Sequence, residues 1–173
     1  MSDRAGYLSS SDSELLAGCE IDRFRASGPG GQKRNKTESA VRLRHIPSGV
    51  SAIATESRSQ HENRARALRR LRHQLALELR EPVVLDGYEA PTQLSELVSA
   101  RLTRRQRSEP AYLLAVAAML DVFVATACSL GDTARALGVS SNRLTRFIHD
   151  DDAVLRKVNE LRAAKGLRPL RDL

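Results

Sequence analysis

Between Gln60 and Arg80 the leucines Leu68, Leu71, Leu75 and Leu79 recur at spacings of three and four, while Arg64, Arg66, Arg69, Arg70, Arg72 and His73 crowd the other faces. That spacing predicts a helix over about 60–80 with a single apolar stripe, and such a stripe must be covered by another element. The preceding segment supplies the cover. Val41, Leu43 and His45 alternate with Arg42, Arg44 and Ile46, and Val50, Ala52 and Ala54 alternate with Ser51, Ile53 and Thr55. Pro47-Ser48-Gly49 lies between the two runs, so the pattern reads strand–turn–strand. Cys19 to Arg25 is a third candidate strand, with imperfect alternation. Ser11-Asp12-Ser13-Glu14 fits a capping box that opens a short helix at about 11–17, with Gly18 as its stop.

Pro82 to Pro91 punctuates the chain, and the rest reads as helical. Thr92 or Ser95 starts a helix running to about Arg105. Pro110 suits the first turn of a long apolar helix over about 110–129, interrupted by Asp121. Gly131 to Gly138 gives a short helix with a glycine stop, and Ser140 or Ser141 caps another that contains Phe147 and Ile148. Ala134, Gly138 and Leu144 have the spacing of a helix-turn-helix, with Arg143 and Arg146 expected to point outward; an ordinary helical hairpin fits the same residues. Asp150-Asp151-Asp152 reads as a helix cap or a solvated turn rather than a metal site. The expected architecture is therefore α+β. A short antiparallel sheet packed on a basic helix (residues 11–81) precedes an all-helical module (residues 91–173) with a helix-turn-helix-like segment.

Charge narrows the function classes. Residues 1–80 hold 15 Lys+Arg and 9 Asp+Glu, a net +6, against 13 and 12, a net +1, in residues 81–173. A basic first half suits a phosphate-rich partner, because neutralising phosphates releases counterions. A plain basic protein has the same charge. Trp is absent and aromatics make up 3% of the chain, so recognition by base stacking is not expected to dominate. No apolar run reaches the roughly 18 residues of a membrane span, and the N-terminus lacks the order of a secretory signal. Cys19 and Cys128 have no metal-ligand spacing and are expected to be free thiols in a reducing cytoplasm.

The segment Ser27-Gly-Pro-Gly-Gly-Gln32 carries the chemistry. Gly30 and Gly31 lack a Cβ and can bring the backbone close to another molecule, Pro29 stiffens the entry, and Gln32 presents an amide that donates and accepts. With no neighbouring nucleophile–base pair or carboxylate dyad, such a loop would act by placing dipoles and a water rather than by covalent attack. Taken alone, Gly-Gly-Gln is equally a simple glycine turn. It has neither of the spacings of a phosphate-cradling loop.

The surrounding residues are more specific. The Ser27–Gln32 loop, Asn35, Lys36 and Thr37, Ser39-Ala40-Val41, His45-x-Pro47-x-Gly49, and Arg58-Ser59-Gln60 with Asn63 occur in that order over about 55 residues. Together they closely resemble the catalytic domain of class I peptide-chain release factors. The resemblance implies a loop that enters the peptidyl transferase centre of the large ribosomal subunit. There Gly30, Gly31 and Gln32 would assist water to hydrolyse the peptidyl-tRNA ester. It also makes Gln32 a candidate for N5-methylation, which adds a glutamine methyltransferase to the expected partners, ribosomal RNA and peptidyl-tRNA. Arg25, Lys33, Arg34, Lys36, Arg58, Arg64 and Arg69 are the candidate RNA contacts. His45 is expected to be a structural hairpin residue. No cofactor and no metal are expected, and a cytoplasmic monomer is.

Full-length release factors read stop codons with a separate domain, for which the chain is expected to have no room. It resembles in this the small hydrolases that rescue stalled ribosomes without a codon. Those often end in a long basic tail, whereas residues 156–173 hold six Lys+Arg and two Asp+Glu with no long run of charge. Two other readings stay open: a non-catalytic module that binds the ribosome or RNA, and a helix-turn-helix DNA binder, which the charge distribution disfavours.

Overall fold

In the computed structural model, which describes residues 3–25, 39–103 and 105–170, the hairpin is formed by β2 (Ala40–His45) and β3 (Ser51–Ala54). Period two puts Val41, Leu43 and His45 on one face of β2, all buried, and Arg42 and Arg44 on the other, both exposed. The register pairs Val41 with Ala54 and Leu43 with Ala52, so the same face of β3 is buried. Gly49 takes φ +72° in the connecting turn, a region open to glycine at little cost. β1 (Cys19–Phe24) pairs antiparallel with β2, giving the order β1-β2-β3. None of its residues is buried, which is why its alternation is poorly marked.

α3 (Gln60–Glu78) packs its stripe on β2 and β3. Leu68, Leu71 and Leu75 are buried as expected, and burying each contributes roughly 2 kcal/mol. Leu79 is half-buried and serves as the C-cap. Before the sheet, α2 (Asp12–Ala17) carries the predicted capping box, with Ser11 accepting from the Glu14 N–H and Glu14 accepting from the Ser11 N–H.

Two features of this region differ from expectation. A further helix, α1 (Arg4–Ser9), is capped by Asp3 and buries Leu8. Arg72, expected on a solvent face, is only 9% exposed. It donates to the carbonyls of Tyr7 and Leu8, each at 3.4 Å, and to Asp12 Oδ1 at 2.8 Å. The last carbonyls of a helix have no intrahelical donor, and Arg72 satisfies two of those that end α1.

The chain divides into two compact units, Met1–Leu79 and Arg80–Leu173. The second is helical. α5 (Pro110–Ala125) is buried over most of its surface, including Val116, Met119, Leu120 and Phe123. Its Asp121 is tolerated there because the Arg80 guanidinium lies 2.9 Å from Oδ1, which also accepts from the Glu81 N–H at 3.1 Å. The helix ends earlier than expected, at Ala125, because Ala127 and Cys128 take positive φ and the Cys128 N–H folds back to the Phe123 carbonyl. α4 (Thr92–Ser99) also stops short of Arg105. Thr103 and Gln106 exchange side-chain and backbone hydrogen bonds that open a separate 3₁₀ turn, Gln106–Ser108, in competition with helix continuation.

α6 (Leu130–Ala136) and α7 (Ser141–His149) are the two helices joined by a turn that both the helix-turn-helix and the helical-hairpin expectation share. Ala134 and Leu144 are buried, and Gly138 takes φ +65° between the helices. Arg143 is exposed, but Arg146 turns inward to donate to the carbonyls of Ser99 (2.6 Å) and Ala100 (3.3 Å), where α4 needs donors. Asp151 caps α8 (Asp152–Ala164) and accepts from the Tyr112 hydroxyl at 3.0 Å. Burial of that phenol, together with the Asp151 charge, pushes its pKa well above the usual range.

Candidate functional site

The Gly-Gly-Gln segment joins β1 to β2, and the last strand pair before it is Phe24 with Ala40. Gly30, Gly31, Gln32, Lys33, Arg34 and Lys36 lie outside the described residues. The root of the loop is described, and its chemistry is specific.

Asn63, in the first turns of α3, has no exposed surface. Its amide nitrogen donates to the Ser39 carbonyl at 2.6 Å and the Ser57 carbonyl at 2.8 Å, and its oxygen accepts from the Ser57 N–H at 2.9 Å. Both N–H donors and one acceptor position of the amide are therefore used. Ser59 caps α3 by accepting from the Glu62 N–H, and its own N–H donates to Ser57 Oγ at 3.0 Å. The chain leaving the loop, the turn before α3 and the first turns of α3 are thus tied into one knot. This assigns places to the Arg58-Ser59-Gln60…Asn63 motif: Ser59 is the cap, Asn63 the tie, and Arg58 stands exposed.

The basic side chains separate into two groups. Arg42 pairs with Asp22 at 2.7 Å and Arg44 with Glu20 at 3.3 Å across the β1–β2 ladder. Arg70 pairs with Glu56 and donates to the Ile53 carbonyl, and the Arg70 contact lowers the Glu56 pKa. Arg58, Arg64 and Arg69 are exposed and hold no hydrogen bond or ion pair with any described residue. Arg25 is exposed at the start of the loop and does have an interaction. Arg64 and Arg69 are five residues apart on α3, roughly 140° around the helix, so they do not share one face. Arg23 and His61, which sequence reading passed over, also have no such partner, and both line a cavity with Arg64. The signal in the sequence was weak: His61 and Arg64 are three apart on a helix, but Arg23 joins them only through the strand register.

His45 lies at the other end of β2 from Ala40, roughly 17 Å along the strand. It is 2% exposed, hydrogen-bonded through Nδ1 to Ser48 Oγ at 2.8 Å, and edge-on to Tyr7 with ring centroids 4.5 Å apart. Desolvation holds its pKa below the ordinary imidazole value. It is a structural residue. Among the described residues no group of His, Cys, Asp or Glu is arranged to hold a metal, and no helix is long and apolar enough to cross a membrane.

The family model described as the RF-1 domain matches residues 16–109, which is 94 of the 173 residues. The chain belongs to the RF-1 domain family. Peptide chain release factor 2 of Paramagnetospirillum magneticum is 58% identical over 57 residues, 33% of this chain and 15% of that protein. Peptide chain release factor 1 of Acidiphilium cryptum is 58% identical over 59 residues, 34% of this chain and 17% of that protein. Peptide chain release factor 2 of Acidithiobacillus ferrooxidans is 52% identical over 59 residues, 34% of this chain and 16% of that protein. The similarity to those relatives thus spans roughly a sixth of their length. The RF-1 domain match begins in α2, takes in the whole sheet and α3, and runs on through α4.

Proposed function

We propose that this RF-1 domain protein hydrolyses the ester of peptidyl-tRNA in the ribosomal peptidyl transferase centre, without reading a stop codon. One observation carries the reading: the intact Ser27–Gln32 sequence lies between β1 and β2 of a three-stranded sheet, and the chain entering β2 at Ser39 is tied to α3 by Asn63. A loop held at its root can present a backbone dipole repeatedly in one geometry, which is what positional catalysis requires. In the proposed step, water attacks the ester carbonyl and the bond to the ribose oxygen breaks. The peptide leaves with a free carboxyl group and the tRNA with a free hydroxyl. Gly30 and Gly31 allow the close approach. The Gln32 N–H stabilises the developing oxyanion, and its side chain orients the water.

Residues 11–81 form the catalytic domain in this reading, and residues 91–173 form an accessory that docks on the ribosome or tRNA. Arg25, Lys33, Arg34, Lys36, Arg58, Arg64 and Arg69 contact RNA phosphates. The protein acts as a cytoplasmic monomer, and Gln32 is a substrate for a glutamine methyltransferase. The test is peptide release from ribosomes carrying labelled peptidyl-tRNA, with a stop codon, a sense codon or no codon in the decoding site. Equal release from all three is expected. Release confined to stop codons overturns codon independence, and release from none overturns the reading.

A further inference from the structure

A cavity of about 120 Å³ opens beside the root of the loop, lined by Ile21, Arg23, Val41, Gln60, His61 and Arg64. It is several times the space one water needs. Arg23 pairs with Val41, the third strand pair counting back from Phe24 and Ala40 being Asp22 with Arg42, so the cavity sits one pair below the loop. Arg23 shares the face of Val41, the face on which α3 packs, whereas Arg42 and Arg44 lie on the opposite face.

The lining gathers basic side chains that have no carboxylate partner among the described residues. Arg42, Arg44, Arg66, Arg70 and Arg72 each have a carboxylate partner. The side chains of Arg23, His61 and Arg64, like those of Arg58 and Arg69, have no hydrogen bond or ion pair with any described residue, and Arg23, His61 and Arg64 all line the cavity. Among the described residues no acidic side chain lines it. A larger cavity of about 560 Å³ along α2 and α3 shares His61 and Arg64, and its Asp12 is already occupied by Arg72. Two arginines lining one cavity, with no carboxylate among its described walls, favour an anion of matching geometry. Phosphate accepts from the guanidinium fork, and the imidazole adds a ring N–H.

We propose that this cavity binds one backbone phosphate of RNA, held by Arg23 and Arg64 with His61 as a further donor, and so fixes the root of the Gly-Gly-Gln loop against its target. The proposal rests on the ribosomal reading above and specifies a contact that reading leaves open. The phosphate belongs to ribosomal RNA or to tRNA, and both offer the same chemistry.

The test uses the full chain binding to ribosomes as salt is varied, for the wild type, Arg23→Gln, Arg64→Gln, the double variant, and Arg42→Gln as a charge control on the opposite face. Losing one phosphate contact lowers the slope of log K against log salt by about 0.7–0.9. The expected result is a total fall of that size in the double variant, with neither single variant exceeding it, because one phosphate is shared. Arg42→Gln keeps the wild-type slope, and Arg64→Lys retains most of it. Thermal melting of each variant separates a lost contact from a lost fold. An unchanged slope in the folded double variant overturns the site. A fall of about 0.7–0.9 for every arginine removed, Arg42 included, also overturns it, since that is diffuse attraction. Binding to vacant ribosomes and to ribosomes holding peptidyl-tRNA assigns the phosphate: an effect on both points to ribosomal RNA, an effect only on the second to tRNA. If the double variant binds and releases as the wild type does, the site fails while the hydrolase reading stands. Absence of release by the wild type defeats the hydrolase reading instead, whatever the slopes.

Discussion

Removing the Asn63 amide should loosen the root of the loop at a cost that follows from its three hydrogen bonds. In Asn63→Ala the Ser39 carbonyl, on a residue 9% exposed, loses the donor at 2.6 Å. A buried carbonyl left without a partner costs about 1–3 kcal/mol. The Ser57 carbonyl and N–H are only partly buried, so water replaces some of what they lose, and each contributes about 0.5–1.5 kcal/mol. The sum centres near 4 kcal/mol, and for a unit of this size each kcal/mol moves Tm by about 4–8 °C. Thermal melting should therefore show the first unit's transition falling by about 15–30 °C, and hydrogen exchange should speed up first at the amides of Ser57 and of the chain after Ser39. Asn63→Asp sharpens the test. It keeps the acceptor for the Ser57 N–H but sets a carboxylate oxygen against two carbonyl oxygens. It should be at least as destabilising as Ala despite its near-identical shape. A loss below 1 kcal/mol for Ala, or an Asp variant milder than Ala, refutes the knot.

Other consequences are smaller or lie elsewhere. Asp121→Ala leaves the Arg80 guanidinium partly buried beside α5 without its carboxylate, and should cost about 3 kcal/mol in urea unfolding of the second unit. Gly138→Ala meets no atom within 4 Å, but φ +65° is strained for a residue with a Cβ. It should cost about 1–2 kcal/mol, with Gly138→Asn costing less. His45 has a folded pKa depressed by desolvation, so its neutral form is favoured on folding. The unfolded chain takes up the proton first, stability is full above the ordinary imidazole value, and it declines as pH falls toward the folded pKa. Unfolding measured across pH 7 to 5 should show that slope, and His45→Phe should flatten it.

The hairpin and α3 were legible because period two and period 3.6 alternate around Pro47-Ser48-Gly49 and because the leucine stripe had one surface available to cover it. The caps at Ser11 and Ser140 were local signals of the same kind. What could not be read required a partner. Arg72 and Arg146 look like solvated arginines in the sequence, and only the unsatisfied carbonyls at the ends of α1 and α4 explain why they turn inward. Helix α1 has too few apolar residues for a period and depends on packing Leu8 against α3. The premature ends of α4 and α5 come from Thr103–Gln106 bonding and from positive φ at Ala127 and Cys128, neither of which overrides a helical pattern on paper. At the site, the resemblance located the loop and drew attention to Asn63, but Asn63's function as a tie needed Ser39 and Ser57 brought within reach. Arg23 joined His61 and Arg64 only once the β1–β2 register was known.

The central claim is that the loop supplies hydrolysis while the rest of the chain supplies binding. Peptide release and ribosome affinity should be measured side by side on the wild type, Gln32→Ala and Gly31→Ala. Losing a placed dipole in an oxyanion site costs about 10²–10³ in rate. Release should fall by about that factor in both variants, with affinity within about twofold of the wild type. Wild-type release rates from Gln32→Ala and Gly31→Ala, measured on ribosomes that the wild type discharges, would contradict it.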